Sequence, residues 1–183
     1  MVTLSEEELE PLRYPIGRFK RPAEVTADDI VRYIATIEAL PQQIRDTVAG
    51  WSDIQLDTPY RPGGWTVRQL IHHVADSHMN AYVRIKLALT EDVPTIKPYE
   101  ENHWAELPDG KSAPVEWSLA LLKYLHLRWV MLLRGLDTAQ WEREFLHPAY
   151  TRAFRVDSIL ALYDWHSRHH LAHIQSLEER MGW

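Results

Sequence analysis

Four stretches of this chain repeat apolar residues at the three- and four-residue spacing of a helix, and none alternates apolar and polar positions over a useful length. The first opens at Thr26, with Asp29 three residues on, and carries Ile30, Ile34, Ile37, Ile44 and Val48 on one side. Pro41 is expected to kink it. The second opens at Thr66, where Gln69 completes a capping box, and runs to about Leu89 with Val67, Leu70, Ile71, Val74, Ala81 and Ile85 in its stripe. The third starts around Ser112 and Pro114 and ends near Gly135. The fourth runs from Val156 through Ile159, Tyr163, Ile174, Leu177 and Met181. This pattern predicts an all-α protein, a four-helix bundle without a sheet. Residues 1–25, interrupted by Pro11, Pro15 and Pro22, are expected as an extended arm over the surface, with 26–183 as a single domain. The stretch 90–110, with Pro94, Pro98 and Pro108, reads as a long loop suited to a crossover.

A faint internal echo adds to this. The first helix runs into Gly50-Trp51-Ser52-Asp53-Ile54-Gln55, the third into Gly135-Leu136-Asp137-Thr138-Ala139-Gln140, and each is followed by a helix bearing histidines. If the echo reflects the architecture, the second and fourth helices face one another.

Composition narrows the setting. A chain of 183 residues with 45% apolar content suits one domain with a real core. A net charge of −6 argues against a nucleic-acid footprint. No apolar run approaches the roughly 20 residues of a membrane span, and the polar start is unlike a signal peptide, so a cytoplasmic location is the expectation. There is no cysteine. Disulfides, thiolate metal sites and cysteine nucleophiles are therefore excluded, and any metal must use nitrogen and oxygen ligands.

The chemistry concentrates in histidine. His166, His169, His170 and His173 form two pairs at a spacing of four, and each pair shares a helix face. On a helical wheel started at Ile159, the apolar stripe covers roughly 0–60°, His166 and His170 fall at about −20° and 20°, and His169 and His173 lie on its flank. The first pair thus points inward, where unpartnered nitrogens are costly and a metal would satisfy them. On the second helix the third ligand has three sources. His72 points away from the stripe, His78 sits in its middle like an ordinary core histidine, and His73 borders it beside Gln69, Ser77, Asn80 and Arg84. Spacing alone does not separate His73 from His78.

Motifs along nearly the whole chain resemble the DinB/YfiT-like superfamily, and its YfiT branch in particular. They include Tyr14-Pro15-Ile16-Gly17, Leu56-Asp57-Thr58-Pro59-Tyr60-Arg61, Gly63-Gly64-Trp65-Thr66-Val67-Arg68-Gln69 and His72-His73. Further on come Ala75-Asp76-Ser77-His78-Met79-Asn80, Pro98-Tyr99-Glu100, Ser118-Leu119-Ala120-Leu121-Leu122, Trp165-His166-Ser167, Ala172-His173-Ile174 and Arg180-Met181-Gly182-Trp183. The resemblance places the family's second-helix ligand, eight residues after the tryptophan, on His73, and its last-helix pair on His166 and His170. It implies one divalent metal ion held by these three histidines, either in a hydrolase or in an enzyme transferring a low-molecular-weight thiol such as bacillithiol.

Three imidazoles leave a tetrahedral ion one open position, the arrangement of a catalytic site. Zinc suits the ligands best and nickel would also accept them. The expected partners are a small-molecule substrate, a low-molecular-weight thiol among the choices, and a second copy of the chain as a homodimer. A non-catalytic metal- or small-molecule-binding bundle is the alternative. A carboxylate-bridged di-metal oxidase is disfavoured because Glu-x-x-His pairs on two helices are missing. Asp76 and Asp164 lie near the ligands in sequence, but solvated acids are the preferred reading. Glu100, Glu101, His103 and Trp104 sit on a loop that would cover the cleft or simply wrap the bundle. Arg68 and Arg84 would suit a substrate carboxylate, although helix-surface arginines are commonplace.

Overall fold

The computed structural model describes residues 5–183. In chain order its helices are α1 (Glu6–Arg13), α2 (Ala27–Thr47), α3 (Asp53–Leu56), α4 (Val67–Thr90), α5 (Glu101–Ala105), α6 (Pro108–Ser112), α7 (Val115–Arg134), α8 (Thr138–Trp141) and α9 (Val156–Met181). The four long ones, α2, α4, α7 and α9, form the bundle. Helices α2 and α4 each pack against both α7 and α9, so α2 and α4 lie on one diagonal.

Local chemistry sets the boundaries. Thr26 accepts from the Asp29 backbone while the Asp29 carboxylate accepts from that of Thr26, and Thr66 and Gln69 do the same at the start of α4. Pro41 lies inside α2, which continues to Thr47. Helix α9 ends at Gly182, whose φ of 68° is the left-handed conformation glycine adopts without a Cβ penalty. The sequence echo corresponds to α3 and α8, two four-residue helices opened by matching capping boxes, Ser52 with Gln55 and Asp137 with Gln140. Helix α9 packs on α4, as the echo anticipates.

Three expectations need correction. Residues 1–4 of the expected arm lie outside the described residues, and the rest is not wholly extended. Ser5 and Glu8 close a capping box, and three glutamates in the first turn suit the helix dipole, so α1 forms there. The long connection after α4 contains two short helices, α5 and α6. A small sheet also exists, in which β1 (Glu144–Leu146) pairs antiparallel with β2 (Ala153–Arg155). Strands of three residues are too short to show alternation. Their stability is tertiary, because Phe145 is buried in the core and Leu146 exchanges backbone hydrogen bonds with Pro94 and Ile96 of the long connection.

The apolar core is divided. One cluster holds Tyr33 to Ile37 of α2, Ala81 to Ala88 of α4, Trp129 to Leu133 of α7 and Val156 to Tyr163 of α9. The other holds Leu40 to Val48, Val67 to Ala75, Val115 to Leu122 and Leu171 to Leu177 of the same helices. On three of these helices the break between clusters carries histidine: His78 on α4, His126 on α7, and His166, His169 and His170 on α9. A polar layer therefore crosses the bundle at mid-height. No helix among the described residues is long and apolar enough to cross a membrane.

Candidate metal centre

The polar layer opens on one side into a cleft of about 690 Å³. His73 reaches it from α4, and His166 and His170 reach it from α9, one turn apart. One ring nitrogen from each lies within 4.8 Å of the others. The ring centroids are 5.4 Å apart for His73 and His166, 5.0 Å for His73 and His170, and 4.4 Å for His166 and His170. Trp65, just before α4, packs on His73 at 4.6 Å. The structure thus brings together the three residues that the sequence singles out.

The other pair on α9 turns towards the N-terminal arm. His169 stacks on Trp165 at 4.3 Å and faces Tyr14, while His173 Nε2 donates to the backbone carbonyl of Arg13 at 3.1 Å and packs on Tyr60. Trp165 Nε1 donates to the Gly17 carbonyl, which fastens the arm over this flank. His169 and His173 also come within metal-ligating distance of His170, so two triads share that ring. They differ in support: the second draws all its members from one helix and has one nitrogen committed to the arm.

What distinguishes His166 is a chain of buried imidazoles. A carbonyl can only accept, so His126 Nδ1 donates to Ile37 O at 2.5 Å. Burial holds His126 neutral down to about 4. Its Nε2 is therefore an acceptor, and His78 Nδ1 donates to it at 2.9 Å. His78 is also held neutral by burial, its pKa pushed well below the usual imidazole range, so its Nε2 accepts in turn from His166 Nδ1 at 3.2 Å. By elimination, the lone pair of His166 sits on Nε2, which faces the cleft with the Ser77 hydroxyl 3.5 Å away. His78 and His126 are 0% and 2% exposed, so water does not compete along the way. Outer partners of this kind fix the tautomer and orientation of a metal ligand. Nitrogen-15 NMR on the purified protein is expected to show His166 protonated at Nδ1 and bare at Nε2. In His126→Leu that preference should weaken; an unchanged tautomer in the variant would show that the relay does not set it.

The donor set fits a divalent cation. Burial lowers all three pKa values, to about 4 for His73 and well below the imidazole range for His166 and His170, and each ring's neighbouring imidazoles add to the effect. The rings are thus neutral, as metal ligands must be. The buried Nδ1 of His170 has no hydrogen-bond partner, and a bound ion is one way to use that ring.

Other sequence candidates resolve differently. His72 points to α7, bonding to Ser118 Oγ and the Ala113 carbonyl. Asp164 is buried, but it accepts from Thr36 and Arg168 rather than from an imidazole. Among the described residues no hydrogen bond joins the Asp76 carboxylate to a histidine. Arg68 is taken by Asp53, Asp57 and the Ala113 carbonyl. From the long connection, Tyr99, Glu101 and Asn102 line the cleft, and Trp104 packs behind Tyr99. Sequence reasoning passed over His126 and Arg61. The first was legible only as one more polar residue in an apolar helix, the second only as the last residue of the Leu56–Arg61 motif. A second cleft, about 800 Å³, opens by Ile30, Leu133 and Trp141, away from the histidine layer.

The comparisons with known proteins agree with this architecture. The family model described as DinB superfamily matches residues 36–174, and the chain belongs to that superfamily. It is 49% identical to the Bacillus subtilis (strain 168) protein named "Putative metal-dependent hydrolase YfiT", over 94% of this chain and 97% of that one. A Bacillus cereus (strain 03BB102) protein named "Putative metal-dependent hydrolase" is 52% identical over 94% of this chain and 98% of its own length. The solved structure of YfiT from Bacillus subtilis, described as a probable metal-dependent hydrolase with an unusual four-helix bundle topology, superposes with a TM-score of 0.92. It covers 94% of this chain and 99% of that chain.

Proposed function

We propose that His73, His166 and His170 hold one divalent cation, zinc by preference and nickel as the other fitting ion, and that the protein is a metal-dependent enzyme acting on a small molecule. The observation that supports this most is the buried relay, which turns one lone pair of His166 towards two other neutral imidazoles in an open cleft. When bound, such a cation supplies Lewis acidity and acidifies a nucleophile.

The chain's own groups supply position and shielding. Trp65 backs His73, the relay orients His166, and Tyr163 donates its hydroxyl to the Ser77 carbonyl at 3.1 Å. Burial pushes the Tyr163 pKa up, so this hydroxyl stays protonated and serves as a donor. Among the described residues Glu101 is the one carboxylate in the cleft lining.

The names of the relatives favour hydrolysis. Transfer of a low-molecular-weight thiol is the second reading, favoured by a chain without cysteine, in which a thiol nucleophile has to arrive with the substrates. To separate them, the as-purified and chelator-treated protein is given a panel of esters, amides and alkylating electrophiles, with and without a small thiol, and products are identified by mass. Water-derived products that need metal but not thiol support the hydrolase; thiol adducts that need both support transfer. Tight metal binding without turnover across the panel would reduce the protein to a binding bundle.

A further inference from the structure

The chain as a whole is acidic, with a net charge of −6, yet its cleft is not. Four arginines line it, Arg13, Arg18, Arg61 and Arg84, against one acid, Glu101. Two of the four are already paired on the arm, Arg13 with Glu6 at 2.7 Å and Arg18 with Glu10 at 2.8 Å. Arg61 and Arg84 are different. Among the described residues neither forms a salt bridge, and in each the Nε is buried with no hydrogen-bond partner. Arg61 spends one nitrogen on the neighbouring Pro62 carbonyl and lies by the Tyr60 ring.

Their placement is informative. Arg84 follows His73 on α4 by eleven residues, which is three turns, and so returns to nearly the same helix face about 16 Å along the axis. Arg61 precedes α4, on the loop that also carries Trp65, beyond the other side of His73. The two guanidinium groups therefore flank the histidine cluster along the direction of α4. A guanidinium presents a planar fork of donors that matches carboxylate and phosphate oxygens, and a buried donor without an acceptor is a cost the folded protein carries until one arrives.

We propose that Arg61 and Arg84 form an oxyanion-binding subsite at each end of the cleft, and that the substrate is a small organic anion carrying a carboxylate or phosphate. The proposal rests on the cleft being the reactive site, and it adds the substrate's charge to that reading. The anion lies against the arginines while the bond to be changed reaches the histidine cluster between them.

Calorimetric titration of the full-length protein with succinate and with inorganic phosphate tests this. Wild type is expected to bind at least one of them, more weakly at high salt, with preference for one probe telling carboxylate from phosphate. Affinity should fall about tenfold or more in Arg61→Gln or Arg84→Gln, recover in part in Arg84→Lys, and stay unchanged in Arg128→Gln, an exposed arginine that does not line the cleft. Thermal melts check that each variant is folded. The titration is repeated after chelation. Binding that survives chelation and falls in the arginine variants supports the subsite, whatever becomes of the metal. Binding lost with the metal but indifferent to both arginines places the anion on the cation and overturns the proposal, as does the absence of binding by either probe. Anion binding without turnover on any anionic substrate would instead count against the enzymatic reading alone.

Discussion

Replacing His73, His166 or His170 with Ala is expected to remove the bound metal and all turnover, whereas His169→Ala and His173→Ala should keep both. Two ligands do not hold a divalent ion with the affinity of three. The contrast within α9 is what makes the test sharp, since all four histidines sit within two turns and both triads include His170. Metal analysis of the five variants, with circular dichroism as a folding control, decides between them. Retention of metal in His166→Ala with loss in His169→Ala would transfer the site to the flank beneath the arm. His126→Leu should fall between these extremes, with metal affinity reduced about 10–100-fold, the usual cost of removing an outer partner.

Acid should destabilise the metal-free protein between about pH 6.5 and 4. Burial holds His73 and His126 neutral down to about 4 and His173 down to about 3, each from an ordinary value of 6.5. Between about pH 4 and 6.5 the unfolded chain therefore binds protons that the folded one refuses. The histidine contribution to stability is complete above 6.5 and is lost as the pH falls through that window, while Asp76, its carboxyl raised by burial to about 6, opposes it in part. For each of His73 and His126 the difference is worth about 3 kcal/mol, and two such rings approach the ~5–15 kcal/mol that holds a typical domain together. A pH titration followed by circular dichroism in the presence of chelator is expected to show cooperative loss of helix between pH 6 and 4. His126→Leu, which removes one of these rings, should move the midpoint to lower pH. A protein whose melting temperature is the same at pH 7 and pH 4 would contradict this account. With metal bound, release of the ion should accompany the transition, because protonated imidazoles do not ligate.

The bundle is legible in the sequence because its signals are local. Capping boxes at Thr26 and Thr66 mark helix starts by pairing residues only three apart, and an apolar stripe is a property of one helix. The same periodicity picks out His166 and His170 from the four histidines of α9. The further step to His73 needed the resemblance as well, since His78 lies on the same helix and fits the stripe better. The structure shows what His78 does instead: it carries a hydrogen bond from His166 to His126.

What the sequence by itself determined, then, is the set of four helices, the lack of any thiol chemistry of its own, and the inward-facing pair on the last helix. Beyond the pairing of His73 with the last helix, which the resemblance supplied, the tertiary structure decided what joins distant positions. Helix α1 was within reach of the sequence through Ser5 and Glu8, but the β1–β2 hairpin depends on Phe145 finding the core and on the loop at Pro94. The relay from Ile37 through His126 and His78 to His166 joins four helices, and its carbonyl and the histidine that donates to it are 89 positions apart. Arg61 and Arg84 acquire meaning only once they flank the same cleft. Hydrogen bonds and charge balance depend on distance in space, and a sequence records only distance along the chain.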